Sequence, residues 1–180
     1  MNEYFKEAAD FLKGRKPVAK EIYQELGHTA RMKAFTVGGY TSLEVLQEFL
    51  NALERAVESG TTMIQFREEM NGFLEQRGYE GLNPWKADNI FRTNLQTAFN
   101  AGHYKAMTDK TVLQMRPFWM YLTAGDDEVR PTHAAMNGRV YRADDPIWDV
   151  WYPPNGYKCR CNVVSLSARQ VEARGLRVYD

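Results

Sequence analysis

Cysteine is scarce in this chain: of 180 residues, only Cys159 and Cys161 carry thiols, with one residue between them. Neighbours that close are a poor geometric fit for a disulfide with each other, and the sequence holds no third cysteine. In a reducing compartment two readings stay open for them, buried apolar residues or metal ligands. Neither charge prevails. The 23 basic and 23 acidic side chains give a formal net charge of zero. Proteins that grip duplex DNA without sequence preference draw on a basic surplus, so DNA contact is not indicated by composition, although a local patch is compatible with it. Long apolar runs are missing too. None approaches the ~20 residues that a helix needs to cross a bilayer, so no membrane association is expected. The start of the chain, Met1 to Lys16, mixes both charges and lacks the basic lead, apolar middle and small-residue cleavage site of a secretory signal. Synthesis in the cytoplasm is the expectation. Four signatures of nucleotide or hydrolase chemistry are also absent: the P-loop, the nucleophile-elbow pattern, the zinc-protease pair of histidines and the dinucleotide fingerprint.

What remains is a chain long enough for one domain with a real core, or for a helical region followed by a small compact module. The second arrangement is the one its patterning predicts. Apolar residues recur at helical spacing through the first hundred positions. Tyr4, Phe5, Ala8, Phe11 and Leu12 share one face before Gly14 and Pro17 interrupt, and a short helix follows over 18–26. The stretch 31–37 reads as extended or irregular. A cap at Thr41-Ser42-Leu43-Glu44 opens a stripe of Leu43, Leu46, Leu50, Leu53 and Val57 that stops at Gly60. Thr61 or Thr62 opens another, with Met63, Phe66, Met70 and Phe73 inward. Asn83-Pro84 supplies a cap followed by proline at the first helical position, and that helix runs to about Met107 with Ile90, Phe91, Leu95, Ala98, Phe99 and Gly102 on its buried side. These stripes read as core packing, with an assembly surface as the alternative use of the same faces.

The character changes beyond residue 110. Arg116 to Thr123 is aromatic and alternating, which predicts a strand. A polar turn follows at 124–128, then a short helix opened by Pro131 and closed by Asn137-Gly138. Short strands are expected at 139–141 and 162–166, a loop over 144–156, a capped helix from Ser167, and an edge strand at 176–179. The fold class is therefore α+β, with a helical region over 1–110 and a small α+β module with long loops over 111–180.

The module holds three soft ligands, His133, Cys159 and Cys161, and several carboxylates close to them in sequence. Zinc is bound by four such groups in a tetrahedron. A straight strand does not wrap a Cys-x-Cys pair around one ion, so a bent backbone is needed, and Asn155-Gly156 just upstream can supply it. Asp126 is the expected fourth ligand, since the turn before the short helix brings it beside His133. His103 is the weaker choice. The competing reading packs the cysteines as small hydrophobes and hydrogen-bonds His133 to a carboxylate. Bound zinc would be structural, because metal-binding energy becomes folding energy in a small module. A catalytic reading takes His133 with Arg130, Thr132, Arg160 and Asp126 as a general acid–base site of a metal-dependent nuclease or toxin-like hydrolase. Its plain counterpart is an ion pair between Arg130 or Arg160 and the aspartates. Trp148, Trp151 and Tyr152 make either a lid over the module or a docking surface for a partner protein.

The order of residues adds a resemblance. Asp126-x-x-Val129-Arg130-Pro131-x-His133 is followed by Asn137-Gly138-x-Val140-Tyr141, then Asp144-Asp145-Pro146-x-Trp148, then Pro153-Pro154-Asn155-Gly156-x-x-Cys159-Arg160-Cys161. This series resembles the Mu F-like domain of phage head morphogenesis proteins. Upstream, Phe91 to Gly102 looks like the helix that precedes that domain, and Ala34-Phe35-Thr36-Val37 is similar to the family as well. The resemblance covers about residues 16–170. It implies a minor head protein of a phage or prophage, non-enzymatic and present in few copies. Such a protein acts in head assembly at or near the portal, with portal and capsid or scaffold proteins as partners. An accessory role in DNA packaging or ejection is implied too, as are assembly in the host bacterial cytoplasm and a final place in the virion head. Many relatives carry a fuller metal set, with cysteines near Arg130 and His133 and a histidine near Gly156. This sequence keeps only His133 of that group, which shifts a ligand to Asp126.

Overall fold

The computed structural model describes residues 3–180; the side chains of residues 3–5, 28, 29 and 32 lie outside that description, and with them the expected inward places of Tyr4 and Phe5. The chain divides into two compact units, Met1–Gly102 and His103–Asp180.

The first unit is helical, as its periodicity predicts. It contains α1 (Glu3–Lys13), α2 (Lys20–Glu25), α3 (His28–Lys33), α4 (Leu43–Ser59), α5 (Met63–Glu75) and most of α6 (Pro84–Met107). The caps explain the boundaries. Ser42 accepts from Val45 N and starts α4, and Gly60, in the left-handed region at φ 71°, ends it. Thr62 and Gln65 form a reciprocal capping box at the head of α5. Asn83 accepts from Lys86 N at 2.8 Å and starts α6. The core is built on Leu46, Phe49, Leu50 and Leu53 of α4, Phe66, Met70 and Leu74 of α5, and Ala8 and Leu12 of α1. Ile90 and Ala98 of α6 join them, with Met63, Phe73, Phe91, Leu95 and Phe99 packed at the edge.

Two local expectations are corrected. Leu43 is exposed, because it occupies the first turn, ahead of the point where the stripe meets its partners. The stretch expected to be extended over 31–37 is helical to Lys33 and extended only at β2 (Ala34–Phe35). That strand pairs in parallel with β1 (Lys16–Pro17), with Pro17 opposite Phe35. The Arg15 guanidinium donates to Ala34 O and lies over the rings of Phe11 and Phe35. Two-residue strands carry too short a pattern to be read from sequence.

The second unit is α+β. It comprises the end of α6, α7 (Lys110–Met115), β3 (Phe118–Leu122), α8 (Pro131–Ala134), β4 (Val140–Arg142), α9 (Ile147–Trp151), β5 (Asn162–Leu166) and α10 (Ala168–Ala173). The stretch 110–115 is itself a helix, capped by Asp109, whose carboxylate accepts from Thr111 N and Val112 N. Strand β3 is central, antiparallel to β4 on one side and β5 on the other. Its alternation separates two faces. Trp119 and Tyr121 point to one, where Met107, Met136, Tyr141, Trp148, Cys159, Cys161 and Val163 pack. Phe118 and Met120 point to the other, against Val140, Leu166 and Val171. The register agrees: Trp119 lies opposite Tyr141, Tyr121 opposite Val163, and Phe118 opposite Leu166. The expected loop over 144–156 contains α9, begun where Asp145 accepts from Ile147 N at 2.8 Å. The edge strand expected at 176–179 is reduced to a single bridge, Val140 with Val178.

Candidate metal centre

The site lies on the Tyr121 face of the sheet, where α8 meets the segment entering β5. Pro131 opens α8 with its fixed φ, and His133 two residues later is buried, 6% exposed. The opposite wall is the turn before β5. Gly156 sits at φ 98° and Lys158 at φ 55°, both in the left-handed region, and Cys159 N closes back onto Gly156 O at 3.3 Å. This is the bend a Cys-x-Cys pair needs to point both sulfurs at one place. Arg130, the residue before α8, donates to Tyr157 O at 2.7 Å and ties the helix to the turn.

His133 Nδ1 lies 3.4 Å from Cys161 Sγ and 3.8 Å from Cys159 Sγ. The three ligand atoms lie within 4.8 Å of one another, all on buried residues. Tetrahedral zinc, with bonds of ~2.3 Å to sulfur and ~2.0 Å to nitrogen, sets N···S edges of about 3.5 Å. The observed separations bracket that edge, and the donor chemistry is a soft set suited to zinc. The three residues could therefore hold a metal as they stand. In the metal-free chain the same approach is a thiol–imidazole contact. The histidine faces two sulfurs, in place of the carboxylate of the packing reading.

The electrostatics follow from burial. Burial, with Arg130 second, holds the His133 imidazole below its usual range, which keeps it neutral, the form that ligates. Burial pushes the Cys161 thiol up to about 11, so a metal would have to displace its proton. Tyr121 Oη is buried with no hydrogen-bond partner, although Cys161 and Asn155 are its polar neighbours. Burial likewise pushes that phenol up. Sequence reading passed over Tyr121, yet it stands two residues from Trp119 on the inward phase of the same alternating strand, which was signal enough to place it at the site.

Asp126 does not join the three. Its two oxygens accept from Arg160 Nη1 and Nη2, both at 2.6 Å, and Oδ1 also accepts from Glu128 N at 3.2 Å. The Arg160 hydrogen bonds hold the Asp126 carboxyl below its ordinary range. Glu128 Oε2 lies 3.2 Å from the same Arg160 Nη2 that donates to Asp126. This is the ion-pair arrangement anticipated for Arg160 with the aspartates. His103 is elsewhere, with Nδ1 3.2 Å from Asn162 Oδ1. A cavity of about 20 Å³ opens beside the cluster, lined by His133, Cys159 and Cys161 together with Glu128, Arg130 and Arg160.

The aromatic segment is partly turned inward. Trp148 is buried, its Nε1 donating to Arg142 O at 2.8 Å. Trp151 meets His133 and Tyr121 edge-on at 6.2 Å and 6.3 Å between centroids. Tyr152 packs edge-on against Tyr104 and Trp119. Val150 is the exposed apolar residue of this helix.

Fold and site together describe a helical unit followed by a small α+β unit that carries a Cys-x-Cys/His cluster. Residues 47–164 match the family described as Phage Mu protein F like protein, and the chain belongs to that family. It is 34% identical over 168 residues to the Mu-like prophage FluMu F protein of Haemophilus influenzae, covering 87% of this chain and 40% of that protein. It is 33% identical over 172 residues to the putative capsid assembly protein F of Escherichia phage Mu, covering 87% of this chain and 38% of the relative. The chain thus spans about two fifths of the length of these relatives. No solved structure matches.

Proposed function

We propose that this chain is a minor head component of a phage or prophage and acts in head assembly, in contact with portal and capsid or scaffold proteins. The observation that carries the reading is the 33% identity, across 87% of the chain, to a protein named as a putative capsid assembly protein. The place of action would be the host cytoplasm during assembly, then the virion head. A neutral formal charge makes any part in DNA packaging or ejection an accessory one that does not depend on coating DNA. We read the chain as non-enzymatic. The groups that a hydrolytic site would recruit around His133 are engaged in structure, Arg160 with Asp126 and Arg130 with Tyr157 O. The helical region to about residue 110 and the α+β module beyond it are taken as separate modules. The aromatic segment is the proposed contact region: Val150 is exposed and Trp151 and Tyr152 are half-buried, backed by the unit's own core.

A structural zinc belongs to the same reading, held by His133, Cys159 and Cys161. It would tie α8 to the turn before β5 in a unit whose strands have three to five residues.

Co-expression with the portal protein of the same phage, followed by size-exclusion chromatography, tests the assembly role. Co-elution is expected. A pair that never co-elutes at micromolar concentration removes the portal from the proposal.

A further inference from the structure

We propose that the metal site is open: this chain supplies three ligands, and the fourth position belongs to a solvent water that small anions can replace. The inference rests on the zinc reading and is independent of the assembly role.

Three observations carry it. The first is the occupation of the carboxylates. Asp126, the residue best placed in sequence to complete the tetrahedron, has both oxygens on Arg160 at 2.6 Å and a backbone amide on Oδ1. Moving it onto a metal would leave Arg160 with Glu128 alone. Glu128 lines the cavity, but its side chain is 79% exposed and leans on the same guanidinium.

The second is space. The cavity beside His133, Cys159 and Cys161 measures about 20 Å³. A water needs roughly 10–15 Å³ of such volume together with polar partners. There is room for one small ligand and no protein donor occupying it. Its rim carries Arg130, Lys158 and Arg160 against the one carboxylate of Glu128, a net positive lining. Zinc with two thiolates is neutral, so the basic rim sets the sign of the ligand that competes with water, and that sign is negative.

The third is the Tyr121 hydroxyl, buried beside Cys161 and Asn155 without a well-formed hydrogen bond to either. A buried donor of this kind is costly unless something at the site accepts its hydrogen bond. A thiolate created by metal binding is such an acceptor, and outer-shell donors of this sort orient metal ligands elsewhere. The buried hydroxyl is explained when Cys161 ligates.

Cobalt(II) substitution of the full chain tests the idea, with visible absorption as the readout and zinc affinity measured by competition with a chromophoric chelator. One metal per chain is expected. Asp126→Asn and Glu128→Gln should each keep zinc affinity within about threefold of the parent. Millimolar azide should shift the cobalt bands saturably, by displacing water. A tenfold or greater loss of affinity in either variant, with its circular dichroism unchanged, overturns the open position, and so does a spectrum indifferent to azide. A parent protein that takes up no cobalt or zinc at all removes the zinc reading itself, which is a different failure from a filled fourth position.

Discussion

Tyr121 sits near the end of β3 with a buried hydroxyl that makes no well-formed hydrogen bond. An unmet buried donor costs on the order of 1–3 kcal/mol, so its removal with the ring retained should be neutral or favourable. Tyr121→Phe is therefore expected to raise the urea-unfolding free energy of metal-free protein by about 1 kcal/mol. With zinc bound the sign should reverse, because the hydroxyl then donates to a thiolate and its loss removes a charge-assisted bond. Urea melts of both forms, with and without zinc, read the two signs directly. A destabilisation of the metal-free protein would mean that the hydroxyl is already satisfied. At this scale sequence reading was strongest for residue type and weakest for pairing. The two sulfurs and the imidazole were legible as a soft set. An ion pair of Arg160 with the aspartates was legible too; that the pair would take Asp126 away from the metal site was not, because the same carboxylate was equally eligible as the fourth ligand.

Secondary elements were legible wherever a cap coincided with a stripe. Ser42, Thr62, Asn83 and Ser167 all mark helix starts, and each makes the side-chain bond its position requires. Elements too short to show a period escaped: α3, α7, α9 and the β1–β2 pair hold two to six residues each. They are fixed by single interactions, such as Asp109 on two amides or Arg15 on Ala34 O. Long helices carry their own constraint at close approaches. A Cβ at Gly102 of α6 would stand 3.0 Å from Ala8 N and 3.1 Å from Glu7 Cβ, so α1 lies against bare backbone there. Alanine gains helix propensity of about 1 kcal/mol at that position, which offsets part of the crowding. Valine adds two methyls with no such compensation, and Gly102→Val is expected to lose about 1–3 kcal/mol through overpacking. Equilibrium urea unfolding measures it. A valine variant within 0.5 kcal/mol of the parent, a difference typical of an unconstrained surface site, would show that α1 moves aside freely.

Across the whole molecule, the α+β class and the order of helices before sheet follow from the change of period near residue 116, and the structure has them in that order. The closing of His133 onto two sulfurs from a segment 26 and 28 residues downstream follows from no local pattern. It depends on β3 standing between β4 and β5 and on the Gly156–Lys158 turn, both tertiary facts. That arrangement makes a prediction about stability. The His103–Asp180 unit has three short strands, two of its short helices have four and five residues, and its core is built largely on aromatic rings. Units of this size gain little from a single core and are commonly reinforced by a metal or a cross-link. A ligand that binds only the folded form stabilises it by about 2.7 kcal/mol at a hundredfold excess over its dissociation constant. For a domain this small each kcal/mol moves the midpoint by about 4–8 °C. Zinc at that excess should therefore raise the melting transition of this unit by roughly 10–20 °C, and EDTA should reverse it. Tryptophan fluorescence suits the measurement, because Trp119, Trp148 and Trp151 all lie in the unit that carries the cluster. The Cys161→Ser variant should start lower and show no response to zinc. An equal zinc shift in parent and variant would place the metal somewhere other than the His133–Cys159–Cys161 cluster.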